Sequence, residues 1–225
     1  MIFLKIYDII YIENEKGRII MLTKNVRELA EDLVYDLMTK GLLSHLDRWG
    51  GNNFEDWFYT NNLENDGYWY GTGMTKICIG HICLDNWVIK FSANDSSKDY
   101  MAREYEIYRE AERQNMTEFF PQTFFLGRFE GRDCYIQERA ECNESTIYSE
   151  CYNQICSFYE EENEEYNSDL ICDKVDTLND DERVNLLFHN SELIDFLYKY
   201  GINDLHEGNF GLINGKFVII DFSGY

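Results

Sequence analysis

The stretch NDLHEGNFGLINGKFVIIDFSGY, Asn203 to Tyr225, decides how this chain is read. It sets Asp204, His206, Glu207 and Asn209 in a short polar loop. Two apolar runs follow, NFGLI and KFVII, about the dipeptide Asn214-Gly215, and then comes Asp221. Asn-Gly between β-prone runs is a strong hairpin signal. The choice is between a catalytic centre and an acidic loop ahead of an ordinary strand, and the rest of the chain has to decide it.

Composition narrows the partners. Of 225 residues, 44% are hydrophobic and 16% aromatic, enough for a sizeable core. Against 20 basic residues stand 42 acidic ones, a formal charge of −22. Such a field repels nucleic-acid phosphates and anionic membrane surfaces, so neither is an expected partner. Free ATP is repelled too, unless local Lys and metal ions offset the charge. Seven cysteines without a CxxC pair read as reduced thiols, not as a disulfide frame or zinc site. MIFLKIYDIIYI carries Lys5 and Asp8 and no small-residue cleavage site, and no run reaches transmembrane length. The expected location is cytoplasmic, with Met1 or Met21 as the start.

Working back from the tail, residues 2–13 and 18–22 predict a hairpin. Val26, Leu29, Ala30, Leu33, Val34, Leu37 and Met38 recur at helical spacing, with Asn25 and Glu28 as a capping box and Gly41 as the stop. A Gly/Asn/Trp-rich connection runs from Trp49 to about Asp66. Residues 68–91 read as three strands, 98–114 as a helix, and 119–141 as two strands about Glu130-Gly131. Helices are expected at 144–159 and 181–200, separated by a charged surface segment. His45, His81 and His189 read as surface or packing residues, and the four tryptophans as core or lobe-interface aromatics. The expected architecture is α+β and bilobal: an extension over 1–66, an antiparallel-sheet lobe over 67–140, and a reduced, mostly helical lobe over 141–225.

Taken in order, Gly71-Thr72-Gly73, Val88-Ile89-Lys90-Phe91, Glu104, Asp204-Leu205-His206-Glu207-Gly208-Asn209 and Ile220-Asp221-Phe222 resemble the protein-kinase-like superfamily. DLHEGN is closer to the aminoglycoside and small-molecule kinase branch than to eukaryotic-type protein kinases. The resemblance spans about residues 68–225 and implies ATP and Mg²⁺ as cofactors. It implies that Lys90, oriented by Glu104, contacts the α- and β-phosphates, and that Gly71 and Gly73 let backbone amides approach phosphate. Asp204 would orient or accept the nucleophile's proton, and Asn209 and Asp221 would hold the metal. Gln137, Glu138 and Ala140 would form the hinge that receives adenine through the backbone.

Two departures from the pattern bear on activity. The family's His two residues before the catalytic Asp is Ile202 here, and Phe-Ser-Gly follows Asp221 where Phe-Gly is usual. The text also stops at Tyr225 without an activation segment, so a conventionally docked peptide is not the expected substrate. The helix from Val26 to Lys40 is the candidate to pack where part of that lobe would lie. Three functions follow: transfer of the ATP γ-phosphate to a small molecule or to the chain itself; a pseudokinase-like nucleotide sensor acting through a protein partner; or an acidic interaction module with vestigial kinase residues. The acceptor and the oligomeric state are not legible.

Overall fold

The computed structural model describes residues 12–13, 19–20, 24–46, 52–73, 75–93, 97–142, 191–202, 204, 207–214 and 216–223. The expected helix at 144–159, the charged segment after it, the first half of the helix at 181–200, Trp49, His189 and His206 lie outside them. The chain divides into two compact units, Met1–Ala102 with Gln122–Glu138, and Arg103–Pro121 with Arg139–Tyr225.

The first unit begins with a two-rung ladder, β1 (Ile12–Glu13) against β2 (Ile19–Ile20), the part of the predicted hairpin that is described. Helix α1 spans Lys24–Thr39 and ends at Gly41, whose φ of 86° is the left-handed value a glycine stop supplies. Asn25 lies inside its first turn, not ahead of it as a capping box requires. The connection expected at 49–66 contains a second helix, α2, over Asn52–Thr60. Asn and aromatic residues are mediocre helix formers, which hid it from propensity. Phe54, Trp57 and Phe58, at i, i+3 and i+4, nevertheless bury one face.

Strands β3 (Tyr68–Thr72), β4 (Lys76–His81), β5 (Trp87–Ser92), β6 (Thr123–Phe129) and β7 (Arg132–Glu138) form one antiparallel sheet in the order β3-β4-β5-β7-β6. The predicted succession of three strands, a helix and two strands is therefore observed. Glu130 and Gly131 both have positive φ, 49° and 88°, as a two-residue hairpin between right-twisted strands demands. Period-two alternation sends Ile77, Ile79, Ile89, Phe91, Cys134 and Ile136 to one face, where they share a core with Leu33, Leu37, Phe54 and Phe58 of the two helices. Helix α1 therefore packs on this sheet, and the expectation that it stands in for a missing lobe is corrected. Apolar complementarity explains it: the helix's one greasy face meets the sheet's one greasy face. Burial of Cys134 in this core pushes its thiol pKa up.

Polar ties fix the same docking. Arg27 donates to the Leu126 carbonyl at 2.6 Å, and Trp57 Nε1 donates to the Lys40 carbonyl at 2.7 Å. Tyr68 on β3 donates to Asp36 on α1 at 2.9 Å, and Lys40 bridges Asp36 and Asp66, each at 2.9 Å. Burial works to raise the Asp36 carboxyl, but hydrogen bonds from Lys40 and Tyr68, with the charge of Lys40, bring it below its ordinary value. Burial, then the bond to Asp36, pushes the Tyr68 phenol up. His81 accepts from Cys83 N–H at Nδ1, so its Nε2 carries the proton and donates to the Asp66 carbonyl.

The second unit takes most of helix α3 (Lys98–Gln114), then α4 (Ser191–Lys199), β8 (Phe210–Ile213) and β9 (Lys216–Ile219). Its core holds Ile107, Tyr108, Phe120, Leu193, Phe196, Phe210, Ile219 and Phe222. Phe120 meets Phe222 edge-on at 4.9 Å and Phe196 at 5.6 Å. Helix α4 ends at Gly201 (φ 60°), with Gly201 N–H on the Tyr198 carbonyl and Ile202 N–H on the Leu197 carbonyl. This is a Schellman cap, and its hydrophobic outer residue is Ile202, buried in the core. The cap aims the chain into the loop that carries Asp204. The last hairpin closes through the predicted turn: Ile213 pairs with Lys216, and Asn214 has φ 53°.

Candidate functional site

Each unit carries part of the predicted residue set. In the first, strand register lines up Gly71, Cys78, Lys90, Tyr135 and Phe125 across all five strands, on the face opposite the helices. Lys90 is in the central strand β5 and only 2% exposed. A buried ammonium is tolerated only with hydrogen-bonding partners. Its Nζ donates to Gln137 Oε1 at 3.1 Å, and Gln137 Nε2 donates to Thr123 Oγ1 at 3.0 Å. Lys has only donors, so the amide must present oxygen to it and nitrogen to the hydroxyl.

Gly71 is next to last in β3 and Gly73 follows the strand, both exposed, with Gly73 N–H on the Lys76 carbonyl at 2.8 Å. A Cβ at Gly71 would meet nothing within 4 Å, and one at Gly73 only the Lys76 carbonyl at 3.6 Å. The fold itself therefore leaves room for side chains at both positions. Gly80 is the opposite case: Trp69 lies across it, 1.9 Å from where a Cβ would sit. Gln137 and Glu138 end β7, and Glu138 N–H is already used by the Gln122 carbonyl at 2.8 Å.

In the second unit, Glu104 on α3 is fully buried. Asp204 follows the α4 cap and is half-buried. Asn209 ends a 3-10 turn over Glu207–Asn209, is 6% exposed, and donates from Nδ2 to the Asp204 carbonyl at 2.5 Å. The same residue's backbone carbonyl accepts from Ile220 N–H at 2.8 Å, extending the β8–β9 ladder by one rung. Asn209 and Asp221 are thereby brought to one end of the hairpin. Because Nδ2 is spent on the loop, the amide oxygen is the Asn209 atom that can serve a cation. Ser223 Oγ lies 3.4 Å from Asp221 Oδ1. Ala140 precedes Glu141, which exchanges both backbone bonds with Leu212 and so docks on β8. Gly211 is required there, since a Cβ would come 2.7 Å from Ala140 Cβ.

Among the described residues, no group of three or more His, Cys, Asp or Glu is arranged to hold a metal. No helix among them is long and apolar enough to cross a membrane. A cavity of about 910 Å³ in the second unit, between α3 and the end of α4, contains none of the predicted residues. Its arginines are engaged: Arg103 on the Tyr200 carbonyl, Arg109 on Glu112 and Arg113 on Glu110. Sequence reasoning missed the side chains of Gln137 and Thr123. Their one signal is parity: in CYIQE, Gln137 shares the face of Tyr135, which is the face of Lys90.

No family model matches the chain, and no curated protein sequence does. Solved structures do. The chain is similar to aminoglycoside phosphotransferase structures. One is the ternary complex of APH(2″)-IIa with streptomycin and ATP, at 16% identity and a TM-score of 0.37. Another is the aminoglycoside phosphotransferase APH(2″)-Ib with ADP bound, at 17% identity and a TM-score of 0.34. Each alignment covers 73% of this chain and 69% of the other.

Proposed function

We propose that this chain is a bilobal, protein-kinase-like phosphotransferase that moves the γ-phosphate of Mg-ATP to a small molecule or to itself. The observation that carries the reading is the double use of Asn209. Its amide nitrogen ties down the Asp204 loop, and its backbone carbonyl takes Ile220, the residue before Asp221. An ordinary acidic turn has no reason to bury an Asn in that way.

The residues present fit Mg²⁺. Asn209 and Asp221 are hard oxygen donors, too few for a protein cage but suited to an ion that takes its other ligands from phosphates and water. When bound, that ion would neutralise developing charge on the phosphoryl group. The chain's own residues would do the rest. Lys90 supplies a fixed positive charge for the α- and β-phosphates. Gly71 and Gly73, where an added Cβ would meet no close neighbour, leave space for phosphate near the backbone. Asp204 orients the acceptor hydroxyl and takes its proton, while the acceptor oxygen forms a bond to the γ-phosphorus as the bridging bond to ADP breaks.

A second reading, nucleotide binding with little turnover, is favoured by Ile202. Where the family carries His, this chain spends the residue on capping α4 and filling the core. Melting-temperature titrations with ATP, with and without Mg²⁺, separate the readings when paired with a phosphate-transfer assay. The first predicts a metal-dependent rise, lost in Asp221→Asn, and turnover lost in Asp204→Ala. The second keeps the rise without turnover. At a hundredfold excess over Kd the stabilisation is about 2.7 kcal/mol. No rise at millimolar Mg-ATP overturns both.

A further inference from the structure

Lys90, Gln137 and Thr123 stand on three neighbouring strands, β5, β7 and β6, and are 2%, 3% and 1% exposed. Lys90 faces Tyr135 in the ladder, so Gln137 is its diagonal neighbour two residues on, within reach of two long side chains. The hydrogen bonds run in one direction, ammonium to amide oxygen and amide nitrogen to hydroxyl. A chain of this kind locks each rotamer it passes through. A long lysine otherwise loses much rotamer entropy when its head is fixed, and that cost falls on the ligand if the ligand does the fixing. Gln137 is also neutral. It holds the ammonium without adding a negative charge of its own. A carboxylate at the same place would hold Lys90 equally well but would compete with phosphate for it.

From this we infer that Gln137, anchored by Thr123, is a positioning residue that pre-sets Lys90 for the phosphates of a bound nucleotide. The inference rests on the nucleotide-binding reading above and assigns the Gln137 side chain a part that the hinge expectation did not include.

The test is a double-mutant cycle on the full chain, with Mg-ADP binding measured by calorimetry up to millimolar concentrations. Wild type, Gln137→Met, Lys90→Met and the double variant are compared, with circular-dichroism melts to verify folding. In the wild-type background Gln137→Met weakens ADP about tenfold, the scale of one lost hydrogen bond to a charged group. In the Lys90→Met background the same change costs less than about twofold, because there is no ammonium left to position. Thr123→Val, which removes only the anchor, costs about threefold. Gln137→Glu weakens ADP more than Gln137→Met does. Equal costs of Gln137→Met in both backgrounds would mean a general structural role and overturn the inference, as would wild-type affinity in Gln137→Glu. Failure of the wild type itself to bind Mg-ADP would be a different result, striking the nucleotide reading before any variant is compared.

Discussion

Lys90 is held by a residue 47 positions away in sequence, and that residue by another 14 positions away on a third strand. Asn209 reaches only five residues, to Asp204, and its next bond is to the neighbouring strand of its own hairpin. One half of the proposed site is thus a product of sheet register, and the other of a helix cap, a tight turn and a loop. The two halves have different weaknesses. A one-residue slip of β5 would turn Lys90 toward the apolar core, whereas the hairpin half tolerates distant changes but not local ones.

The largest expected effect separates the halves by what they do. Asp204→Ala should lower phosphate transfer by about a hundredfold or more while leaving Mg-ATP binding within a few-fold. Lys90→Met should do the reverse, weakening nucleotide binding first. If both variants lose binding and turnover in the same proportion, the division of labour fails. Chemical denaturation of Lys90→Met should reveal a loss of about 1–3 kcal/mol, since the buried Gln137 Oε1 loses this donor.

Packing offers an intermediate effect in each half. Gly80→Ala sets a methyl into the Trp69 ring, and Gly211→Ala sets one against Ala140. Each should cost about 1–3 kcal/mol by overpacking, measured as a shift in the denaturation midpoint. Gly80→Ala should weaken nucleotide binding as the sheet shifts, and Gly211→Ala should disturb the metal dependence instead. A Gly80 variant as stable as wild type would contradict the close approach of Trp69.

The smallest effect is electrostatic. The folded-state pKa of Asp36 lies below its ordinary value of 3.8, so its stabilisation is present above that pH and is lost as pH falls through the folded value. Asp36→Asn should therefore cost about 0.5 kcal/mol at neutral pH and nothing in strong acid, in keeping with its partial exposure. Denaturation curves from pH 7 downward through the acid range check this. An equal cost throughout that range would mean that shape, not charge, matters at Asp36.

The same contrast explains what could be read from the residues alone. The hairpin half was legible because its signals are local: Asn214-Gly215 for the turn and Gly201 for the helix stop. The sheet's strands and the Glu130-Gly131 turn were legible for the same reason. Helix α2 was not, because NNFEDWFYT has poor propensity and is helical through its burial against the sheet. The Gln137 relay was not, because only strand pairing brings residues 90, 137 and 123 together. Docking of α1 on the sheet was not, because an amphipathic helix announces an apolar face without naming its partner.

Under the proposed function the chain binds one Mg-nucleotide, and calorimetric titration of ATP into the chain, with and without Mg²⁺, is the decisive measurement. One nucleotide per chain is expected, with tighter binding with Mg²⁺, a Mg²⁺ gain that disappears in Asp221→Asn, and loss of affinity in Lys90→Met. Absence of binding at millimolar Mg-ATP, or binding indifferent to both substitutions, would contradict it.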